Sequence, residues 1–287
     1  MGNSYAKLYP YSDSFNALTA AIMETNLLYL AGDNSMNYQV EVCIDNIESL
    51  HNAIEGGATR IELCSALALG GLTPSAGLMH SAGRVSSIPV YAMIRPREGD
   101  FFYHDDDLII MAQDIHTAHQ AHLQGVVLGL LNVNGTIDVQ RSKPLVDLAH
   151  SLGLGVTFHR AFDLCADPKQ ALEDIIALGC ERILTSGLAR TASLGIDRLT
   201  QLVQQSAGRI SIMAGAGVNA QNVAEIAVAS GVKELHLSAK TTRPSLMQFI
   251  RSESKMGASD CDDFIIPVTN TEALQQTVQA LNSIKAN

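Results

Sequence analysis

Two short stretches repeat an acid and a thiol at the same spacing: VEVCI at Val40–Ile44 and RIELC at Arg60–Cys64. Each sets a glutamate two residues before a cysteine, Glu41 with Cys43 and Glu62 with Cys64, and the second also carries Arg60. Residues two apart on a strand share a face, so each acid and its thiol point the same way. Carboxylates move protons and arginines clamp anions. Farther along, HRAFD (His159–Asp163) pairs a histidine suited to general-base chemistry with Asp163, which can orient it or act as an acid. A histidine that only caps loop carbonyls is the plainer alternative. His236 in ELHLS is a second inward histidine. Arg95 and Arg97 in RPREGDFFY, with Arg160, supply bidentate recognition of a carboxylate or phosphate. Ser186 in TSG lies in a further loop of this kind. Gly215 and Gly217 in AGAGVN belong to a glycine loop running into a helix, with Asn219 as its N-cap, where backbone N–H groups can hold an anion.

From Tyr38 onward, short β-branched runs alternate with longer helical ones. The expected strands are Val40–Ile44, Arg60–Cys64, Val90–Ile94, Gly125–Leu128, Gly155–Phe158, Arg182–Thr185, Ile210–Met213 and Glu234–Leu237. Helical stretches between them include Asp45–Glu55, Asp105–Ala121, Asp138–Ser151, Pro168–Leu178 and Asn219–Ala229. Gly56, Gly153, Gly179 and Gly231 stand where left-handed caps belong. Eight alternations predict an α/β fold, a (β/α)8 TIM barrel, over a doubly wound open sheet. The barrel domain is expected over 38–287, closing with a C-terminal helix near Thr271–Ile284 on its outside. Residues 1–37 read as an N-terminal extension with a helix near Phe15–Leu30.

Period two sorts the strand residues. Val40, Val42 and Ile44 oppose Glu41 and Cys43; Ile61 and Leu63 oppose Arg60, Glu62 and Cys64; Leu235 and Leu237 oppose Glu234, His236 and Ser238. The apolar set must face the helices, which turns the polar set into the barrel. Interiors of this fold are normally filled by Val, Ile and Leu. Burying ions costs several kcal/mol each unless they are paired. The polar lining therefore implies a site, and its catalytic candidates are Glu41, Glu62, Arg60, Arg95, His159, Asp163 and His236. The competing explanation is a sealed ion network of Arg60 with Glu41 and Glu62. A cavity reaching these residues decides between them.

The net charge of −10, with no basic run, argues against a nucleic-acid surface. No 18-residue apolar run suggests a membrane span. Five scattered cysteines without a C-x-x-C pair fit reduced thiols in the cytoplasm. HTAHQAH (His116–His122) resembles a metal run, but no acid or thiol completes it, and a solvated helix face is expected. SDCDDF (Ser259–Phe264) lacks EF-hand spacing and reads as a loop.

RIELCSALALGGLTPSAG, IRPREGDFFY, TFHRAFD, ERILTSG, LHLSAKTTRPS and KMGAS, in that order, resemble the CutC family, which is named for copper homeostasis. The resemblance runs from about Tyr38 to the C-terminus and implies a TIM barrel. It also implies copper handling in the cytoplasm, with the nucleus as a second compartment, by a homo-oligomer, a dimer or tetramer. The partners it implies are a copper ion and, on the catalytic alternative, a small anionic metabolite. By resemblance, Cys43 and Cys64 are the metal ligands for Cu(I), a cation that favours soft thiolates and thioethers. Met93 and Met213, inward by period two, are candidate thioethers. The alternative function is an enzyme, a lyase, isomerase or hydrolase, acting on a small anionic substrate at the C-terminal barrel mouth. One departure stands out: Ala216 occupies a position where the family often has glycine.

Overall fold

The structure, a computed structural model, describes residues 38–251 and 262–284. The expected helix near Phe15–Leu30, the KMGAS motif and the first three residues of SDCDDF lie outside them. Eight parallel strands close into a barrel in sequence order: β1 (Gln39–Ile44), β2 (Arg60–Leu63), β3 (Val90–Met93), β4 (Gly125–Leu128), β5 (Gly155–Phe158), β6 (Arg182–Thr185), β7 (Ser211–Ala214) and β8 (Glu234–Leu237). The helices outside are α1 (Ile47–Glu55), α2 (Ala76–Val85), α3 (Asp105–Gln120), α4 (Val139–Ser151), α5 (Pro168–Leu178), α6 (Ile196–Ser206) and α7 (Val223–Ser230). The doubly wound alternative is thereby excluded, because β1 pairs with both β2 and β8. Among the described residues no helix is long and apolar enough to cross a membrane.

Local chemistry starts several helices. Asn46 accepts the Ser49 N–H at 2.8 Å, Ser75 that of Leu78 at 3.2 Å, and Asp138 that of Arg141 at 3.0 Å. Asp167 caps α5, with Pro168 filling its first turn. The core lies where strand and helix meet: Val40, Val42 and Ile44 of β1 and Ile61 and Leu63 of β2 are all buried. C-terminal to the barrel, α8 (Thr271–Asn282) packs on α1 and α7.

Three local expectations are corrected. Gly56 ends α1 in right-handed geometry (φ −74°), and Gly57 takes the left-handed position (φ 92°). Gly56 is needed for space instead, since a Cβ there would meet Leu274 of α8 at 2.6 Å. Asn219 does not cap α7, which starts at Val223; the Asn222 side chain accepts the Asn219 N–H and lengthens the preceding turn. An antiparallel pair, β9 (Lys240–Pro244) with β10 (Ile265–Thr269), follows β8 and was not apparent from the alternation.

The strand registers build the interior. Cys43 stands level with Glu62 across β1–β2, and Glu41 level with His236 across β1–β8. An ion network does exist on the barrel floor, with a different membership from the one expected. Arg60 pairs with Glu41 and, at 2.5 Å, with Glu234; Arg182 joins Glu234 at 3.1 Å. Glu62 is not a partner, because it stands two residues nearer the C-terminal mouth on the strand that Arg60 begins. The two guanidinium groups lie 5.5 and 5.0 Å from the Tyr91 ring centroid. Met213 Sδ accepts from Arg60 Nη2 at 3.2 Å, so that thioether is committed to the floor.

Replacing Arg60 with leucine takes one cationic partner from each of two buried carboxylates, leaving Glu41 with His236 and Glu234 with Arg182. We expect Arg60→Leu to lower unfolding stability by about 3–5 kcal/mol, the usual cost of breaking a buried pair. The urea midpoint measures it, and an unchanged midpoint would show that the network carries no net weight.

Candidate functional site

Above the floor, the C-terminal strand ends and their loops enclose a cavity of about 470 Å³. Cys43 of β1, Glu62 of β2, Met93 of β3 and His236 of β8 line it, with Arg95, Phe101, His159, Arg160, Asp163 and the loop Ala216–Val218. The polar interior thus divides into a floor whose ions pair with one another and an upper layer that lines the cavity.

Glu41 joins the two. It is fully buried; one oxygen pairs with Arg60 and the other lies 2.8 Å from His236 Nδ1. Burial alone would raise its pKa, but His236 and Arg60 outweigh it and bring it to about 2. Burial would likewise lower His236. The neighbouring Cys43 and Glu62 groups, with the hydrogen bond to Glu41, hold it well above its usual value instead. Glu62 behaves oppositely: burial, with the Glu41 charge nearby, raises its carboxyl despite the opposing pull of His236. Its Oε2 accepts from the Cys64 thiol at 3.5 Å and lies 3.8 Å from His236 Nε2, while Oε1 has no partner. Burial and the Glu62 carboxylate push the Cys64 thiol well up.

The opposite wall is cationic and aromatic. Arg95 gives Nη1 to the carbonyls of Leu69 (2.9 Å) and Gly71 (3.0 Å) and Nη2 to that of Gly99 (3.1 Å). It thereby fixes the loops after β2 and β3, leaving its buried Nε without a partner. Its guanidinium lies over Phe101, whose ring centroid is 4.8 Å from that of His159. His159 Nδ1 accepts the Ala161 N–H at 3.1 Å, which puts the ring proton on Nε2, itself buried and unpartnered. Gly129 makes room for this ring, since a Cβ there would come within 2.5 Å of Nδ1. Burial first, and the Arg95 charge second, lower the His159 pKa to about 3. At neutral pH this histidine is an N–H donor, a role different from the general base that its sequence context suggests.

Asp163 does not orient His159. It accepts from Thr185 Oγ1 at 2.5 Å, from Ser186 Oγ at 2.9 Å and from the N–H groups of Ser186 and Leu188, while Arg160 Nε binds it at 2.7 Å. The carboxylate thus knots the loops after β5 and β6. Ser186 Oγ binds Asp163 and Ala189 O and does not line the cavity. Arg97 is also outside it, tied to Asp100, the Phe102 carbonyl and Asp107. Arg160 and Gly217 do line it, whereas Gly215 gives space to Leu184 and His236. Ala216 adopts φ 80°, a left-handed conformation that costs a non-glycine residue roughly 1–2 kcal/mol, in keeping with a position suited to glycine. Cys64 lies outside the cavity lining, and Cys43 Sγ groups with Glu62 and His236, their ligand atoms all within 4.8 Å of one another. Phe101, Glu234 and Arg182 carry roles the sequence reading did not assign, although Glu234 already lay on its inward face.

The protonation of His159 has a testable sign. Folded, it stays neutral down to about 3; unfolded, it titrates near 6.5. Between these values the unfolded chain holds the extra proton, so stability falls as pH drops through this window. Relative to a His159→Gln variant, the wild type should lose about 2 kcal/mol between pH 7 and pH 5, measured by urea unfolding. A constant gap would mean that His159 titrates normally.

Known proteins place this architecture. The CutC family profile matches residues 38–241. A "family protein CutC" of Vibrio cholerae is 83% identical over 251 residues, covering 88% of this chain and 99% of its own. Its counterpart in Vibrio vulnificus is 68% identical over 249 residues, covering 87% and 100%. The solved CutC structure from Streptococcus agalactiae shares 36% identity at a TM-score of 0.67, covering 70% of this chain and 98% of that one. A thiamine phosphate pyrophosphorylase from Pyrococcus furiosus, at 16% identity and a TM-score of 0.52, shares the fold alone. The chain belongs to the CutC family.

Proposed function

We propose that the protein is an enzyme acting on a small anionic carbonyl compound held in the cavity at the barrel mouth. One observation supports this above others. Glu62 Oε1, Arg95 Nε and His159 Nε2 are buried without partners, and all three residues line this one cavity. Each unpaired buried group costs about 1–3 kcal/mol, which a ligand with matching donors and acceptors relieves. Arg95 Nε–H and His159 Nε2–H can both donate to a carbonyl oxygen as negative charge develops there. Glu62, with its raised pKa, carries the proton that moves. Arg160, although its Nε pairs with Asp163, lines the cavity and can turn a further N–H toward the anionic group. A reducing compartment, the cytoplasm, suits the free cysteines Cys43, Cys64, Cys165 and Cys180.

Incubating the protein with a small-molecule extract and following it by mass spectrometry tests this. Wild type should consume an anionic compound, and Glu62→Gln should slow that consumption at least about 100-fold while remaining folded. No compound consumed by the wild type would overturn the assignment.

A second reading has copper as cargo. The Streptococcus agalactiae relative is named for copper homeostasis, and Cys43, Glu62 and His236 offer a thiol, a carboxylate and an imidazole within 4.8 Å. For Cu(I), the Cys43 sulfur and the His236 nitrogen line the cavity and are better placed than the Cys43–Cys64 pair, the metal displacing the His236 proton as it binds. The Cys64 thiol is fully buried, bound to Glu62 and held protonated. Titration with Cu(I) separates the cases: Cys43→Ser should lose a stoichiometric site that Cys64→Ser keeps. Equal loss in both variants restores the two-thiol site, and retention in both removes the barrel cysteines from copper handling.

A further inference from the structure

We propose that Cys43 is a nucleophile, with His236 as its proton carrier and Glu41 as the residue that orients His236. This rests on the enzymatic reading of the cavity and narrows it to covalent acyl chemistry on a small anionic ester, thioester or amide. Three neighbouring strands build the arrangement. Glu41 and Cys43 share the inward face of β1; register sets His236 of β8 beside Glu41 and Glu62 of β2 beside Cys43. Glu41 Oε1 holds His236 Nδ1 at 2.8 Å, which turns Nε2 away from the carboxylate. Cys43 Sγ lies within 4.8 Å of a His236 ring nitrogen. Arg60 grips the other Glu41 oxygen, so the carboxylate and the ring it orients are fixed from below. A thiol, an imidazole and an orienting carboxylate in a row are the parts of an activated nucleophile.

Accessibility singles out the same residue. Of the four described cysteines, Cys64, Cys165 and Cys180 are buried, whereas Cys43 is partly exposed and lines the cavity. The cavity also holds what an acyl intermediate requires: the unpartnered, buried N–H groups of Arg95 Nε and His159 Nε2 to bind an oxyanion. In the step itself, Cys43 Sγ bonds to the carbonyl carbon while its thiol proton passes to water. His236 already carries the proton it gives to the leaving group, and the proton released to water later restores His236. The C=O electron pair moves to oxygen. As it returns, the bond to the leaving group breaks, and that group departs with the proton from His236. Water then adds to the thioester, releasing the carboxylic acid and restoring the thiol.

Two measurements on the full-length protein, stripped of metal by a chelator, test the inference. The first is the iodoacetamide labelling rate of each cysteine peptide, read by mass spectrometry. Cys43 should react fastest, and His236→Asn should slow it about tenfold, while His51→Asn on the exposed face of α1 leaves it unchanged. The second is p-nitrophenyl acetate as acyl donor, which should leave an acetyl group on the Cys43 peptide in wild type and none in Cys43→Ser. Cys43 labelling no faster in wild type than in His236→Asn, or acetyl groups on other peptides instead, would overturn the proposal. The outcomes separate from those of the broader reading. If Glu62→Gln abolishes consumption of the anionic compound and Cys43→Ser does not, the covalent step falls and the enzyme stands. If Cys43 behaves as stated but wild type consumes nothing, the nucleophile stands and the acid–base assignment falls.

Discussion

The interior of this barrel depends on one carboxylate. Glu41 is fully buried and divides its oxygens between Arg60 below and His236 above. An isolated carboxylate there would become protonated; two cationic partners keep it ionised, with its pKa brought to about 2. That charge then sets the state of everything it touches. It anchors the guanidinium that unites the floor with Glu234, and it helps keep His236 in its protonated form at the base of the cavity.

Around this anchor the barrel separates ions that are satisfied from polar groups that are not. Arg60, Arg182, Glu41 and Glu234 compensate one another beneath the cavity. One layer higher, Glu62, Arg95 and His159 each retain an atom without a partner. Buried networks that serve stability alone tend to close on themselves, since a half-satisfied group costs more than an apolar one. These three lie at the C-terminal mouth, where this fold carries its chemistry, whereas the buried hydroxyls of Tyr38, Tyr103 and Ser142, also without a partner, belong to residues outside the cavity lining. The same burial that raises Glu62 lowers His159, and two groups driven in opposite directions in one cavity fit an acid–base carrier beside a neutral donor.

Most of the barrel was legible in the sequence, because parallel strands with one face toward helices and one toward an interior must alternate. Val42 and Ile61 against Glu41 and Glu62 showed which face was which, and the inward set came out correctly. Partners across the barrel were not legible. Arg60 meets Glu234 rather than Glu62 because closure brings β8 beside β1, a relation no local pattern records. Asp163 follows His159 by four residues yet serves the loop after β6, since the turn beginning at Arg160 carries it away from the ring. β9 and β10 escaped notice because Pro244 and Pro267 interrupt short runs whose pairing spans a long connection. The neutral state of His159 follows from its burial and from Arg95, neither of which spacing can supply.

On the enzymatic proposal, the unpartnered atoms of Glu62, Arg95 and His159 meet a ligand. A crystal structure of the protein purified without added anions, at a resolution that orders solvent, tests it most directly. Density is expected for a small oxygen-rich molecule touching Arg95 Nε, His159 Nε2 and Glu62 Oε1 together. Side chains turned to pair with one another, closing the cavity and satisfying all three atoms without a ligand, would contradict it.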